Sequence, residues 1–205
     1  MTTADGSGRR LGVVDTASCR SASSAPSPPI WVESIGGPLI VVPVSALEEW
    51  AGSTGVRSAA GDAEVPDDYD RACAVDGLAG AIEIGGKGRQ GLVLADEPAT
   101  TSYLPQHRAF VRWLGADSAA ALIKAAVTVL RDPAVEWHEC GFWETDGPAL
   151  LMDSVDAGSD LYVPYPEGGT PEQAPVPIAA ARWRVRAVHT RVDERTSVGV
   201  VQLLP

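Results

Sequence analysis

The chain has 205 residues, with 27 Asp and Glu against 16 Lys and Arg, for a formal net charge of −11. A field of that sign repels nucleic acid and anionic lipid and attracts basic proteins. Apolar runs such as Leu39 to Val42 fall far short of the roughly 20 residues that span a bilayer.

Residues 1–29 are dominated by Ser, Ala, Gly, Thr and Pro and end in Ser23-Ser24-Ala25-Pro26-Ser27-Pro28-Pro29. Such a segment lacks the apolar surface to offset its ordering entropy, so a disordered tail is expected. Residues 30–205 are left for a single domain, large enough to bury about two-thirds of its unfolded surface without disulfide or metal staples. Trp31-Val32-Glu33-Ser34 and Leu39-Ile40-Val41-Val42 read as two strands of a hairpin joined through Ile35-Gly36-Gly37-Pro38. Ser45-Ala46-Leu47-Glu48 has the capping-box spacing and predicts a short helix over 45–50. Residues 51–66, rich in Gly, Ser and Ala, read as a surface loop.

A meander follows. Its strands are expected at Tyr69–Val75, Ala81–Ile84, Gly91–Leu94, Thr100–Leu104 and Ala109–Leu114, with a turn at Gly85-Gly86-Lys87-Gly88. From Asp117 as N-cap, Leu122, Ile123, Ala126, Val127 and Leu130 recur at helical spacing up to Arg131, and Asp132-Pro133 stops the helix. Strands resume at Val135–Trp143, Ala149–Asp153, Arg182–His189 and Val198–Leu204, with a Pro-rich irregular loop over 164–177. The fold class is therefore α+β, mostly antiparallel β: one domain of hairpins and meander strands, a main helix over 117–131 and a short helix over 45–50. Trp31 to Leu39 resembles Trp143 to Leu151, each an aromatic-acid strand leading into a Gly-Pro turn.

Little in the chain carries catalytic chemistry. Gly85 to Gly91 is not a phosphate loop, because Ala81 and Gly88 stand where such a loop needs Gly and Ser or Thr. His138 and Cys140 would share a strand face, with Cys73 or His189 as further zinc ligands, but no paired ligand spacing supports a metal site. No metal and no cofactor are expected. Carboxylates at Glu48/Glu49, Asp67/Asp68/Asp70 and Asp96/Glu97 adjoin prolines or element ends, where acids form turns. With Cys19 in the tail, Cys73 and Cys140 read as thiols. Arg9-Arg10 precedes too short an apolar stretch for a secretory signal, so the expected compartment is the cytoplasm.

Charge is distributed unevenly. The fifty residues between Arg131 and Arg182 contain no Lys or Arg and ten carboxylates. Five arginines, Arg182, Arg184, Arg186, Arg191 and Arg195, then follow. The first three alternate with Trp183, Val185 and Ala187, the pattern of a half-buried strand, and are expected to pair with acidic strands. The acidic stretch is either a solvated face or a contact surface for a basic partner. On the second reading Glu136, Glu139, Glu144, Asp153, Asp156 and Asp160 are the partner-binding candidates.

Several segments together resemble the immunity protein 21 family of bacterial polymorphic toxin systems. They are Trp31-Val32-Glu33-Ser34-Ile35-Gly36-Gly37-Pro38-Leu39, Asp68-Tyr69-Asp70-Arg71-Ala72-Cys73-Ala74-Val75-Asp76 and Gly91-Leu92-Val93-Leu94-Ala95-Asp96-Glu97-Pro98 with Val111-Arg112-Trp113. Gly147-Pro148-Ala149-Leu150-Leu151-Met152-Asp153-Ser154 and Trp183-Arg184-Val185-Arg186 with Asp193-Glu194-Arg195-Thr196-Ser197 complete the set, which spans about residues 30–204. The resemblance implies a mostly β domain without catalytic residues that binds and neutralises a cognate toxin. A basic toxin would suit the acidic stretch. The alternative is a small hydrolase or ligand-binding domain using Asp96 and Glu97 with His107 or His138, which a pocket lined by those groups would favour.

Overall fold

The computed structural model describes residues 1–2, 28–55, 65–86 and 88–205. The tail expected over 1–29 and the loop over 51–66 fall largely outside the described residues, and Lys87 does so wholly. In chain order the elements are β1 (Trp31–Val32), β2 (Leu39–Pro43), α1 (Asp68–Cys73), β3 (Gly80–Ile84), β4 (Arg89–Leu94), β5 (Thr101–Leu104) and β6 (Ala109–Gly115). Then come α2 (Ala119–Arg131), β7 (His138–Thr145), β8 (Ala149–Asp153), β9 (Gln173–Val176), β10 (Ala181–Asp193) and β11 (Thr196–Leu204). Sheet A runs β1-β5-β6-β11-β10-β7 and sheet B runs β3-β4-β2-β8-β9. Every pairing is antiparallel, so the fold is α+β and mostly antiparallel β.

Three apolar layers hold the sheets in place. Between them lie Val32, Leu39, Val41, Leu92, Leu94, Phe110, Trp143, Trp183, Val185 and Val201, among others. The far side of sheet B carries Ile40, Val42, Ile84, Val93 and Met152, covered by Ala46, Trp50, Ala72 and Leu161. The far side of sheet A carries Val111, Val188, Val198 and Val200, against Leu122, Ala125, Ala126 and Val129 of α2. The run Leu39-Ile40-Val41-Val42 thus sends alternate side chains into two different layers, which is why it reads as continuously apolar. By contrast β10 alternates Arg with Trp183, Val185 and Ala187, because only one of its faces is covered there.

The structure corrects several sequence expectations. Tyr69–Val75 is not a strand: Asp67 caps the helix α1, its side chain accepting from Asp70 N while Asp70 reaches back to Asp67 N. That reciprocal cap fixes a helical turn where the sequence suggested a strand. Residues 44–49 form a 3₁₀ turn in which no side chain caps the start, and Ser45 Oγ instead donates to Asp146 Oδ1 at 2.9 Å. The main helix is capped by Ser118, one residue later than expected, through a bond from Ala121 N. The 164–177 loop contains β9, a short strand at the edge of sheet B where Pro175 is tolerated.

Neither Gly-Pro turn makes a hairpin. Trp31 pairs with Ser102 in sheet A while Leu39 pairs with Leu94 and Asp153 in sheet B. Likewise β7 lies in sheet A and β8 in sheet B. Both turns are corners carrying the chain between sheets, and the strands leaving them, β2 and β8, pair with each other. Asp153, 2 % exposed, fastens the first corner by accepting from Ile35 N at 2.6 Å and Val155 N at 3.0 Å. Its burial raises its pKa against the pull of those two donors. The open sides of the sandwich are pinched shut. Trp143 Nε1 donates to Gln90 O at 3.0 Å and Glu144 N to Gln90 Oε1 at 2.9 Å on one side. Glu33 N donates to Glu172 Oε2 at 2.8 Å on the other.

Two stability predictions follow from this packing. Leu122→Ala removes a fully buried side chain from the α2 layer and should cost ~2–5 kcal/mol in chemical denaturation. Gly158 N donates to Trp50 O at 2.9 Å, and a Cβ on Gly158 would lie 2.1 Å from Leu47 O. Gly158→Ala should therefore lower stability by ~1–3 kcal/mol, whereas Gly115→Ala, whose Cβ would meet nothing closer than 3.9 Å, should stay within about 0.5 kcal/mol of the parent.

Candidate partner-binding face

Helix α2 packs on β6 and β11 and reaches Val188 of β10, and among the described residues the outer side of β7 and of residues 182–186 of β10 has no covering layer. Period-2 geometry places Arg182, Arg184 and Arg186 there, opposite the buried Trp183, Val185 and Ala187. Across the register stand Glu144 beside Arg182, Phe142 beside Arg184 and Glu139 beside Arg186. The register slips by a bulge at this point, and Gly141, at φ 78°, supplies its left-handed residue.

The bulge sets the pairing. Arg184 reaches diagonally to Glu139 with a two-pronged contact, Nε to Oε2 at 2.9 Å and Nη2 to Oε1 at 2.8 Å. This bond holds the Glu139 carboxyl below the usual range and raises Arg184. The Arg182 guanidinium lies 4.1 Å from the centroid of the Phe142 ring, and its Nε is 3.3 Å from Glu144 Oε1. Arg186 lies 4.2 Å from the Trp137 ring centroid and donates to Gln202 Oε1 at 3.0 and 2.7 Å. Pairs this exposed add little to stability, so they orient the arginines more than they stabilise the fold. Phe142 remains 48 % exposed in the middle of the strip. At its end a cavity of about 280 Å³ is lined by Arg89, Gln90, Glu144, Asp146 and Arg182, among others.

The six partner-binding candidates do not form one surface. Glu139 and Glu144 stand exposed on β7, and Glu136 is exposed on the segment leading into it. The other three lie beyond the β7–β8 corner. Asp153 is the buried corner clamp described above. Asp156 is half-buried and accepts from Tyr165 Oη at 2.9 and 3.1 Å, with burial raising its pKa. Asp160 is exposed and accepts from Ser159 Oγ at 2.9 Å. Arg182 and Arg184 pair with acids as the alternation led one to expect, but Phe142 and Trp137 were not among the candidates. Their signal was present as aromatics interspersed among Glu136, Glu139 and Glu144 along one segment.

The residues of the alternative reading are also separated. Asp96 pairs with His189, its Oδ2 lying 3.2 Å from Nδ1, and not with His107 or His138. His107 closes a 3₁₀ turn over Pro105–His107, and His138 opens β7. Cys140 donates to the His138 carbonyl at 3.6 Å. Among the described residues no group of three His, Cys, Asp or Glu side chains could hold a metal ion, and no helix is long and apolar enough to cross a membrane.

No curated protein and no solved structure matches the chain. The family model described as Immunity protein 21 matches residues 30–196, from the approach to β1 to the first residue of β11. That stretch takes in both Gly-Pro corners, most of the three apolar layers and the uncovered face of β7 and β10, and the chain belongs to the Immunity protein 21 family.

Proposed function

We propose that this protein is the immunity partner of a polymorphic toxin, binding the toxin in the cytoplasm and covering its active surface. Family membership supports the role, and the outer face of β7 and β10 supports the place. A good protein contact needs aromatic and Arg anchors held in position before the partner arrives. Phe142, Trp137, Arg182 and Arg186 are already stacked, and Arg184 is already fixed by Glu139. Glu136, Glu139 and Glu144 are the acidic members of this contact. A chain carrying a net charge of −11 draws a basic toxin by long-range attraction, which raises the association rate more than the final affinity. The protein acts by binding and carries out no reaction of its own.

The purified chain titrated with the toxin domain encoded beside it tests both parts of the reading. Affinity should fall steeply between about 50 mM and about 500 mM salt, as screening shortens the reach of the acidic field. An affinity indifferent to salt would remove the electrostatic part. Phe142→Ala should raise Kd by about tenfold or more, equivalent to ~1.4 kcal/mol. Glu139→Lys combined with Glu144→Lys should weaken binding to a similar extent, circular dichroism confirming that the variants fold. Asp160→Lys, beyond the corner, should leave Kd unchanged. The reverse pattern would move the contact to the loop after β8.

A further inference from the structure

Arg112 of β6, Gly199 of β11 and His189 of β10 form one row across sheet A, Gly199 in register with both. By alternation they lie on the side that carries Phe110, Val201 and Ala187, facing sheet B. Here the connection between β4 and β5 comes down onto sheet A. The Arg112 side chain, 1 % exposed, donates to the carbonyls of Ala95 and Glu97. Gly199 makes the space: a Cβ there would lie 2.9 Å from both Cδ2 and Nε2 of His189 and 3.0 Å from Arg112 Cβ. The imidazole occupies that space, with Nε2 3.4 Å from Arg112 Nη1 and Nδ1 3.2 Å from Asp96 Oδ2. A guanidinium can only donate, so Nε2 is the acceptor and the ring proton sits on Nδ1, donated to Asp96. Asp96 is held at φ 71°, a left-handed conformation uncommon outside glycine, which turns its carboxylate onto the ring.

We propose that His189 is a pH-operated latch on the β4–β5 connection, closed by the neutral imidazole and opened by its protonation. In the closed state one ring bridges the Asp96 carboxylate and the buried Arg112, so the β4 end of the connection, from Ala95 to Glu97, is tied to sheet A. A second ring proton would place N–H against N–H at Arg112, turning an acceptor into a repelling cation. The charged groups facing the ring are Arg112 from β6 and Asp96 and Glu97 from the connection, while β11 offers only Gly199. Burial, then Arg112, hold the His189 pKa below its ordinary 6.5 against the pull of the two carboxylates. A base whose folded pKa is lowered contributes its full stability above the unfolded value near 6.5 and loses it as pH falls below that. The same connection forms part of the wall of a cavity of about 410 Å³, with Gly36, Pro38, Cys73 and Asp76 opposite Asp96 and Pro98. Opening the latch loosens that wall. This inference stands apart from the toxin-binding reading.

NMR titration of the full chain from about pH 8 to about pH 5 tests the latch, spanning the range in which imidazole titrates. The expected result is a neutral His189 carrying its proton on Nδ1, titrating below 6.5. Exchange protection of the Arg112 side-chain N–H groups should fall with the same midpoint. In His189→Asn, which keeps a donor towards Asp96 but cannot be protonated, that protection should persist across the range. If the variant does not fold, the titration of the parent chain decides alone. A proton on Nε2, a midpoint at or above 6.5, or Arg112 protection unchanged through the His189 titration would each overturn the proposal.

Discussion

Sheet B is covered on both faces, and that constraint organises the rest of the molecule. Its central strand β2 gives Leu39 and Val41 to the layer between the sheets and Ile40 and Val42 to the layer beneath α1 and the 44–49 turn. A strand used this way has no side for charge. Among the described residues the outer face of sheet A is covered where α2 reaches, chiefly over β6 and β11 and as far as Val188 of β10. The remaining strip of β7 and β10 can therefore carry polar side chains, and six charged or aromatic ones gather there. The candidate contact face is the part of the sandwich that the single long helix does not cover.

Charge alone would have placed the contact elsewhere. The carboxylates of residues 132–181 share one stretch of chain, yet the corner at Gly147-Pro148 sends half of the candidates away, Asp153 to β8 of the opposite sheet and Asp156 and Asp160 to the loop after it. Asp153 then serves the backbone of a neighbouring corner, and Asp156 serves Tyr165. The arginines, few in an acidic chain, are the better organised groups. Three of the five at the end of the chain are stacked, bridged or both on one face. The other two hold the β10–β11 turn and its neighbour, Arg191 through the carbonyls of Asp193 and Glu194 and Arg195 through Asp117.

Local periodicity revealed the elements better than their partners. The apolar runs of β2 and β4, the alternation of β10 and the helical spacing of α2 all report burial that each segment experiences by itself. Tyr69–Val75 failed as a strand because a reciprocal cap made by two aspartates, Asp67 and Asp70, decides a short helix there. The Gly-Pro corners failed for a different reason. A turn and a corner have the same residue chemistry, and only the distant strands Thr101–Leu104 and Ala149–Asp153 determine which is formed. The face on β7 and β10 was half legible. Pairing of Arg with Glu followed from alternation, whereas the exposure of Phe142 depends on where α2 stops.

The two corners also determine the order in which the chain can fold. Hairpins β3–β4, β5–β6 and β10–β11 close over short connections, but β2, paired with β4 on one side, gains its second neighbour only in β8, with Leu39 opposite Asp153. Loop-closure entropy and topology make such distant pairings slow. Sheet A is more demanding still, because its third and fourth strands are β6 and β11, and β11 is the last strand of the domain to leave the ribosome. Until β11 inserts between β6 and β10, the apolar inner faces of both remain unpaired. Sheet B has all its strands by Val176, whereas sheet A can close only after β11, so the two halves of the sandwich are completed at different times.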